Sequence, residues 1–214
     1  MKMPNKYLNL KDHIKEIENY YIKGLERIRG YCNGRKEDPP LRDPPHDILE
    51  KAASQFFKEA MDVPVLQALE DLKEGDIRDY GNSSLYEVCI GCGTEILMKA
   101  IILLKSPDRF IEDENMGFSK TKEILLDILP SNLNNKQKER ISDVLKLIRL
   151  KRNKWAHLSF HKFGAYFEDY QIFSVLEYLY LTYFPNSQIL KDIKEFKEKN
   201  KVQSGLDFEP VEFS

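Results

Sequence analysis

Apolar residues recur at three- and four-residue steps along most of the chain, which is the spacing of helices that bury one face. Residues 7–31 carry one such stripe, which predicts a long helix. The same spacing predicts further helices over 47–61, 65–73, 85–105, 118–129, 135–155, 168–184 and 187–199. Because no segment alternates apolar and polar residues over a useful length, the predicted fold class is all-α.

Helix-breaking and helix-capping residues separate these segments. Two proline pairs follow the first helix and prevent its continuation. Residues 79–84 are predicted to form a loop, with Ser83 or Ser84 as the N-cap of the next helix. Asn134 or Asn135 is predicted to cap the helix that follows Pro130.

The 214 residues include 42% hydrophobic residues, enough for one sizeable core. The predicted organisation is an N-terminal helical extension over 1–83 and a helical bundle over 84–185. A C-terminal helix with a frayed tail would occupy 186–214. Lys and Arg total 33 and Asp and Glu total 35, for a net charge of −2. This balance excludes a globally basic nucleic-acid coat protein but allows a local basic stripe.

The sequence predicts a cytoplasmic protein that does not enter a membrane. Its N-terminus is charged and lacks the apolar segment of a signal peptide. The longest apolar run, residues 100–104, is far shorter than the roughly 20 residues that a spanning helix needs. Three cysteines, an odd number, fit a reducing compartment better than a disulfide framework.

The most informative segment is basic and lies in residues 136–161. Five cations and no acid occur between Lys146 and Lys154. Such a run is usually a solvated helix face. Here, however, Arg152 falls inside the apolar arc of its helix, where a cation must be paired, face a partner subunit or line a cleft.

The motif Arg152-Asn153-Lys154-Trp155-Ala156-His157 resembles the Arg-Asn-x-x-x-His signature of the HEPN superfamily of helical domains. An apolar helix with Glu95 and Lys99 precedes the motif, and an aromatic helix follows it. The resemblance covers about residues 84–184 and implies a HEPN-like helical bundle. It also implies a metal-independent endoribonuclease that needs no cofactor and acts on RNA as a homodimer. An antitoxin or another partner protein is a further candidate partner, since some members are toxins or defence effectors.

Under this resemblance, His157 is the general acid or base, because its unperturbed pKa lies near neutrality. Arg152 would hold the phosphate, and Asn153 would orient the histidine or a phosphate oxygen. Glu95 is the candidate partner that holds Arg152 in place. The three cations expected to bind the RNA backbone are Arg149, Lys151 and Lys154.

Arg152 and His157 are about 140° apart on an ideal helix. They can therefore meet at one phosphate only if the helix ends between them or if two chains bring their motifs together. The alternative function is a catalytically silent HEPN-like module that binds a partner protein, a nucleotide or RNA. In toxins silenced by AMPylation, a tyrosine lies two residues beyond the histidine. Ser159 stands at that position here, which argues against this form of control.

Other candidate chemistry favours structural roles. Cys89 and Cys92 form a CxxC pair, but no strand precedes it and no second pair would complete a zinc site. The small residues around this pair predict close helix packing. His157 and His161 have the spacing of paired metal ligands but lack the accompanying glutamate, so no metal site is predicted. Trp155 is predicted to pack in the core or a dimer interface.

Overall fold

The computed structural model describes the backbone of residues 23–24, 26–34, 43–62, 78–112, 116–156 and 166–204. Side chains are described in these ranges except at 78–84, 154–156, 166–169 and 199–204. The described part of the chain contains helices and no strand, so the prediction of an all-α fold is confirmed. Among the described helices, none combines the length and apolar character needed to cross a bilayer.

The chain divides into two compact units, Met1–Pro45 and His46–Ser214. In the first unit, described residues 26–32 are helical, and this helix ends close to the predicted position. Gly34 follows with a φ of 69°, in the left-handed region that glycine adopts without steric cost. The remainder of the predicted first helix and the predicted helix over 65–73 lie outside the described residues.

The helices of the second unit are numbered in chain order. The ranges are α1 (Pro45–Asp62), α2 (Arg78–Lys105), α3 (Pro107–Glu112), α4 (Phe118–Ile128), α5 (Asn135–Ala156), α6 (Tyr166–Tyr183) and α7 (Ile189–Ser204). Helix α2 packs against α3, α4 and α5, while α6 packs against α5 and α7. The middle of α2 is fully buried at Leu97, Met98 and Ile101, so this helix forms the centre of the core.

Helices α1 and α7 contribute to the same core. The Phe57 ring of α1 packs edge-on against the Tyr180 ring of α6, with centroids 6.1 Å apart. Ile189 and Ile193 of α7 are buried in the same apolar cluster. The compact unit is therefore longer at both ends than the bundle predicted over 84–185, because the flanking amphipathic helices bury their apolar faces on it.

Local signals explain how α5 begins. The Asn134 side chain accepts a 2.9 Å hydrogen bond from the Gln137 backbone N–H, and the Gln137 side chain accepts one of 3.0 Å from the Asn134 N–H. This reciprocal capping box satisfies two donors at the helix start. It confirms Asn134 as one of the two predicted caps.

Helix α2 starts earlier than predicted. It begins at Arg78 and runs through residues 79–84, so the predicted loop with Ser83 or Ser84 as N-cap is wrong. The glycine, asparagine and serines of this segment disfavour a helix by about 1 kcal/mol each or less. Propagation adds one backbone hydrogen bond per residue, so a well-packed helix can extend through such residues.

The short helix α3 lies between the predicted helices over 85–105 and 118–129, in a segment for which the sequence predicts no helix. Pro107 is its first residue, a position where the missing proline N–H has no intrahelical partner to lose. The Ser106 carbonyl accepts the Arg109 backbone N–H at 3.1 Å, which closes the first turn.

Candidate functional site

Helix α5 packs closely against α2 at Gly91. A Cβ atom on Gly91 would lie 2.6 Å from the Cβ of Arg152 and 2.7 Å from its Cγ and Cδ. The aliphatic part of the Arg152 side chain therefore lies directly on the α2 backbone. Gly91 permits this approach because it has no side chain, in agreement with the close packing that the small residues predict.

The guanidinium group of Arg152 is held from two sides. Its Nη1 donates a hydrogen bond to Oε2 of Glu95, one turn of α2 beyond Gly91. Its Cζ lies 5.3 Å from the centroid of the Phe118 ring at the start of α4, within cation–π range. The arginine side chain remains 24% exposed, so the group is fixed by the protein and still open to solvent.

Glu95 binds a second cation through its other oxygen. The Lys99 Nζ donates to Oε1 at 3.0 Å, and the two residues are one helical turn apart. Burial by itself raises the pKa of Glu95, but the hydrogen bonds from Lys99 and Arg152 outweigh it and hold this pKa below its ordinary value. The carboxylate is therefore ionised at neutral pH.

Asn153 lies beside the arginine and is exposed. Its Oδ1 accepts a long hydrogen bond of 3.4 Å from Nε of Arg152, so the two polar groups face the same region. His157 lies outside the described residues, as do the side chains of Lys154 and Trp155. The structure thus brings together Arg152, Asn153 and Glu95 of the predicted site.

Lys151 does not fit its predicted place on an RNA-binding surface. Its side chain is 7% exposed, and its Nζ lies 3.6 Å from Oε1 of Glu87 on α2. Lys151 follows the buried Val144 by seven residues, which returns it to the same side of the helix. This buried position argues against the predicted role of Lys151 in binding the RNA backbone.

Arg149 of α5, another predicted RNA-binding residue, is half-buried and contacts the start of α4. Its Nη1 donates a hydrogen bond to Oγ of Ser119, the residue after Phe118. Arg149 and Arg152 therefore contact adjacent residues of α4. Because a serine hydroxyl is neutral, this contact does not itself neutralise the charge of Arg149.

The burial of Cys89 favours a structural role for the cysteine pair. Cys89 is buried, and burial raises the pKa of its thiol, which keeps it protonated and poorly nucleophilic. Within the described part of the chain, no group of three or more His, Cys, Asp or Glu residues could hold a metal ion.

Sequence reasoning assigned no role to two residues that shape this site, Lys99 and Phe118. Lys99 carries a recognisable signal, since a Glu and a Lys four residues apart on a helix form a favourable pair. Phe118 acts on Arg152 from another helix, so its role is visible only once the helices are packed. For Gly91 the sequence predicted close packing, but not that Arg152 is the residue packed against it.

No family model, curated protein or solved structure matches this chain. The HEPN resemblance therefore rests on the sequence alone, that is, on the motif and on the order of the predicted helices around it.

Proposed function

We propose that this chain is a metal-independent endoribonuclease of the HEPN type that acts as a homodimer. The observation that carries the proposal is the placement of Arg152, which Glu95 holds at a partly exposed position beside Asn153. His157 follows five residues later in the sequence. A fixed guanidinium and an imidazole are groups that can catalyse phosphodiester cleavage without a metal, the first by binding the phosphate and the second by transferring a proton.

The chemistry uses a nucleophile that RNA supplies. The 2′-oxygen attacks the adjacent phosphorus, the bond from phosphorus to the 5′-oxygen breaks, and a 2′,3′-cyclic phosphate forms. His157 takes the proton from the 2′-hydroxyl or gives one to the departing 5′-oxygen. Arg152 stabilises the charge that develops on the phosphoryl oxygens. Glu95 acts through Arg152, since its ionised carboxylate sets the direction in which the guanidinium points.

The direct test is RNA cleavage by the full chain in the presence of EDTA. We expect products with a 2′,3′-cyclic phosphate and a 5′-hydroxyl. His157→Ala should lower the rate by about 10²–10⁴-fold, the usual contribution of general acid–base catalysis. His161→Ala is the matched control, because it removes a neighbouring imidazole with no assigned role and should keep the full rate.

Undiminished cleavage by the His157→Ala variant would exclude His157 from the chemistry. Activity that disappears in EDTA and returns with a divalent cation would exclude the metal-independent mechanism. A substrate with 2′-deoxy sugars should resist cleavage, because it lacks the attacking hydroxyl.

A catalytically silent binding module is the second candidate function. The observation in its favour is that Lys151 and Arg152 both pair with glutamates of α2, so two cations of the motif segment already have partners within the protein. This alternative predicts that the full chain binds RNA, a nucleotide or a partner protein without cleaving RNA. A cleavage assay and a binding assay on the same preparation distinguish the two functions.

A further inference from the structure

The cluster of Glu95, Lys99 and Arg152 carries one positive charge in excess. Lys99 and Arg152 bind different oxygens of the same carboxylate, so two cations share one anion. At neutral pH their charges sum to +1, given that Glu95 is ionised. All three side chains are 19–24% exposed, so an ion from solvent can approach the cluster.

The two cations have donors beyond those that the carboxylate uses. An ammonium group has three N–H donors and a guanidinium has five. One donor of Lys99 and one of Arg152 are directed at Glu95, and Nε of Arg152 faces Asn153. A second anion at the exposed side would accept further donors and would also reduce the repulsion between the adjacent cations.

We infer that Lys99 and Arg152 form a phosphate-binding pair, with Glu95 as the shared carboxylate that sets their spacing. The inference rests on the proposed ribonuclease function for the identity of the ligand, a backbone phosphate of RNA. Arg152 contributes a planar group that can bind two phosphate oxygens, and Lys99 contributes a point charge beside it. Lys99 thereby becomes a substrate-binding residue on a helix other than the one that carries the motif.

The test measures binding of a short fluorescent 2′-O-methyl oligoribonucleotide, which has no free 2′-hydroxyl to attack. Its affinity for the full chain is determined by anisotropy over a series of salt concentrations. Lys99→Gln should weaken binding about fivefold and should lower the slope of log K against log salt by about 0.7, the value for one phosphate contact to a single strand. Lys99→Arg should retain the slope, because it keeps the charge.

Lys105→Gln is the matched control, since Lys105 is an exposed lysine at the end of the same helix. It should leave both affinity and slope unchanged. The inference would be overturned if the Lys99→Gln variant had the same salt slope as the unmodified chain. It would also be overturned if the Lys105→Gln variant lost as much affinity and slope as the Lys99→Gln variant. The salt slope is informative because a purely structural role of Lys99 would change the folded fraction, not the number of counterions released per bound strand.

If Lys99→Gln fails to fold, Lys99→Met provides the second test. It removes the same charge but keeps a long apolar side chain that can pack as the lysine methylenes do, so it should lower the salt slope by the same amount. An unchanged slope in this variant would overturn the inference. Because the probe cannot be cleaved, its binding is measured independently of catalysis. A chain that binds the probe through Lys99 but cleaves no RNA would therefore refute the proposed ribonuclease function and leave the phosphate-binding pair intact.

Discussion

Lys151 and Arg152 are neighbours in sequence, yet the structure gives their charges different surroundings. Both pair with a glutamate of α2, but the pair of Lys151 and Glu87 is almost completely buried, with 7% and 9% of the side chains exposed. The pair of Arg152 and Glu95 is 24% and 19% exposed. The buried pair can only stabilise or position the helices, whereas the exposed pair can also meet a ligand. A basic run in a sequence therefore combines structural and ligand-accessible cations.

Breaking the buried pair should have the largest effect on stability. Lys151→Met keeps most of the side-chain volume but removes the cation that lies beside the buried Glu87 carboxylate. We expect the free energy of unfolding to fall by about 3–5 kcal/mol, the usual cost of breaking a buried ion pair by removing one partner. Denaturant unfolding followed by circular dichroism measures this change.

The double variant Glu87→Leu with Lys151→Met is the control for this prediction. It removes both charges, so most of the lost stability should return, because an apolar pair can replace a buried ion pair at little cost. If Lys151→Met lowered the free energy of unfolding by less than about 1 kcal/mol, the buried ion pair would contribute no more to stability than an exposed one.

Substitution of Gly91 should have an intermediate effect on stability and should act on the exposed pair. Gly91→Ala places a Cβ within 2.6 Å of the Arg152 Cβ, an atom close to the backbone that cannot rotate away. We expect a loss of about 1–3 kcal/mol, typical of overpacking, together with reduced RNA cleavage because α5 must shift.

Gly24→Ala is the matched control, since Gly24 is also helical and, among the described residues beyond its chain neighbours and its own helix backbone, no atom lies within 4 Å of its added Cβ. That variant should be as stable as the unmodified chain or slightly more stable, because alanine favours a helix. If the Gly91→Ala variant were as stable as the unmodified chain, α2 and α5 could move apart at Arg152 without a cost in free energy.

Removing the charge of Glu95 should have the smallest effect on stability and should depend on pH. Its lowered pKa means that the folded state binds its proton less readily than the unfolded state. The ionised carboxylate therefore stabilises the fold above the ordinary carboxyl pKa, and this contribution is lost as the pH falls through the lowered value. Glu95→Gln should cost about 1 kcal/mol at neutral pH and progressively less as the pH falls below the ordinary carboxyl pKa.

The control for Glu95 is Asp127→Asn, at a carboxylate that is 65% exposed and pairs with Arg109 at 3.0 Å. So exposed a pair should contribute little at any pH. A constant difference between the Glu95→Gln variant and the unmodified chain across the acid range would contradict a contribution from the ionised carboxylate.

The sequence predicts the helical segments well where apolar spacing is regular. Helices α1 and α5 begin and end within about two residues of their predicted positions, and Ile141, Leu145 and Ile148 lie in the core. The start of α2 was predicted incorrectly because local preferences of glycine and serine are weak compared with helix propagation.

The candidate site could be predicted only in part. Arg152 stands out because a cation on an apolar stripe needs a partner, and Glu95 is that partner in the structure. The burial of Lys151 was missed because a basic run does not reveal which cation turns toward the neighbouring helix. The contact of Phe118 with Arg152 depends on how α4 packs, which no local pattern encodes.

The contact between Gly91 and Arg152 has an entropic consequence. A long arginine side chain in solvent samples many rotamers, and restricting them on binding costs about 0.5–1.5 kcal/mol. Here the methylene groups already rest on the backbone of α2, and the Phe118 ring lies beneath the guanidinium. Much of that conformational freedom is lost when the chain folds, so an incoming anion meets a preorganised receptor.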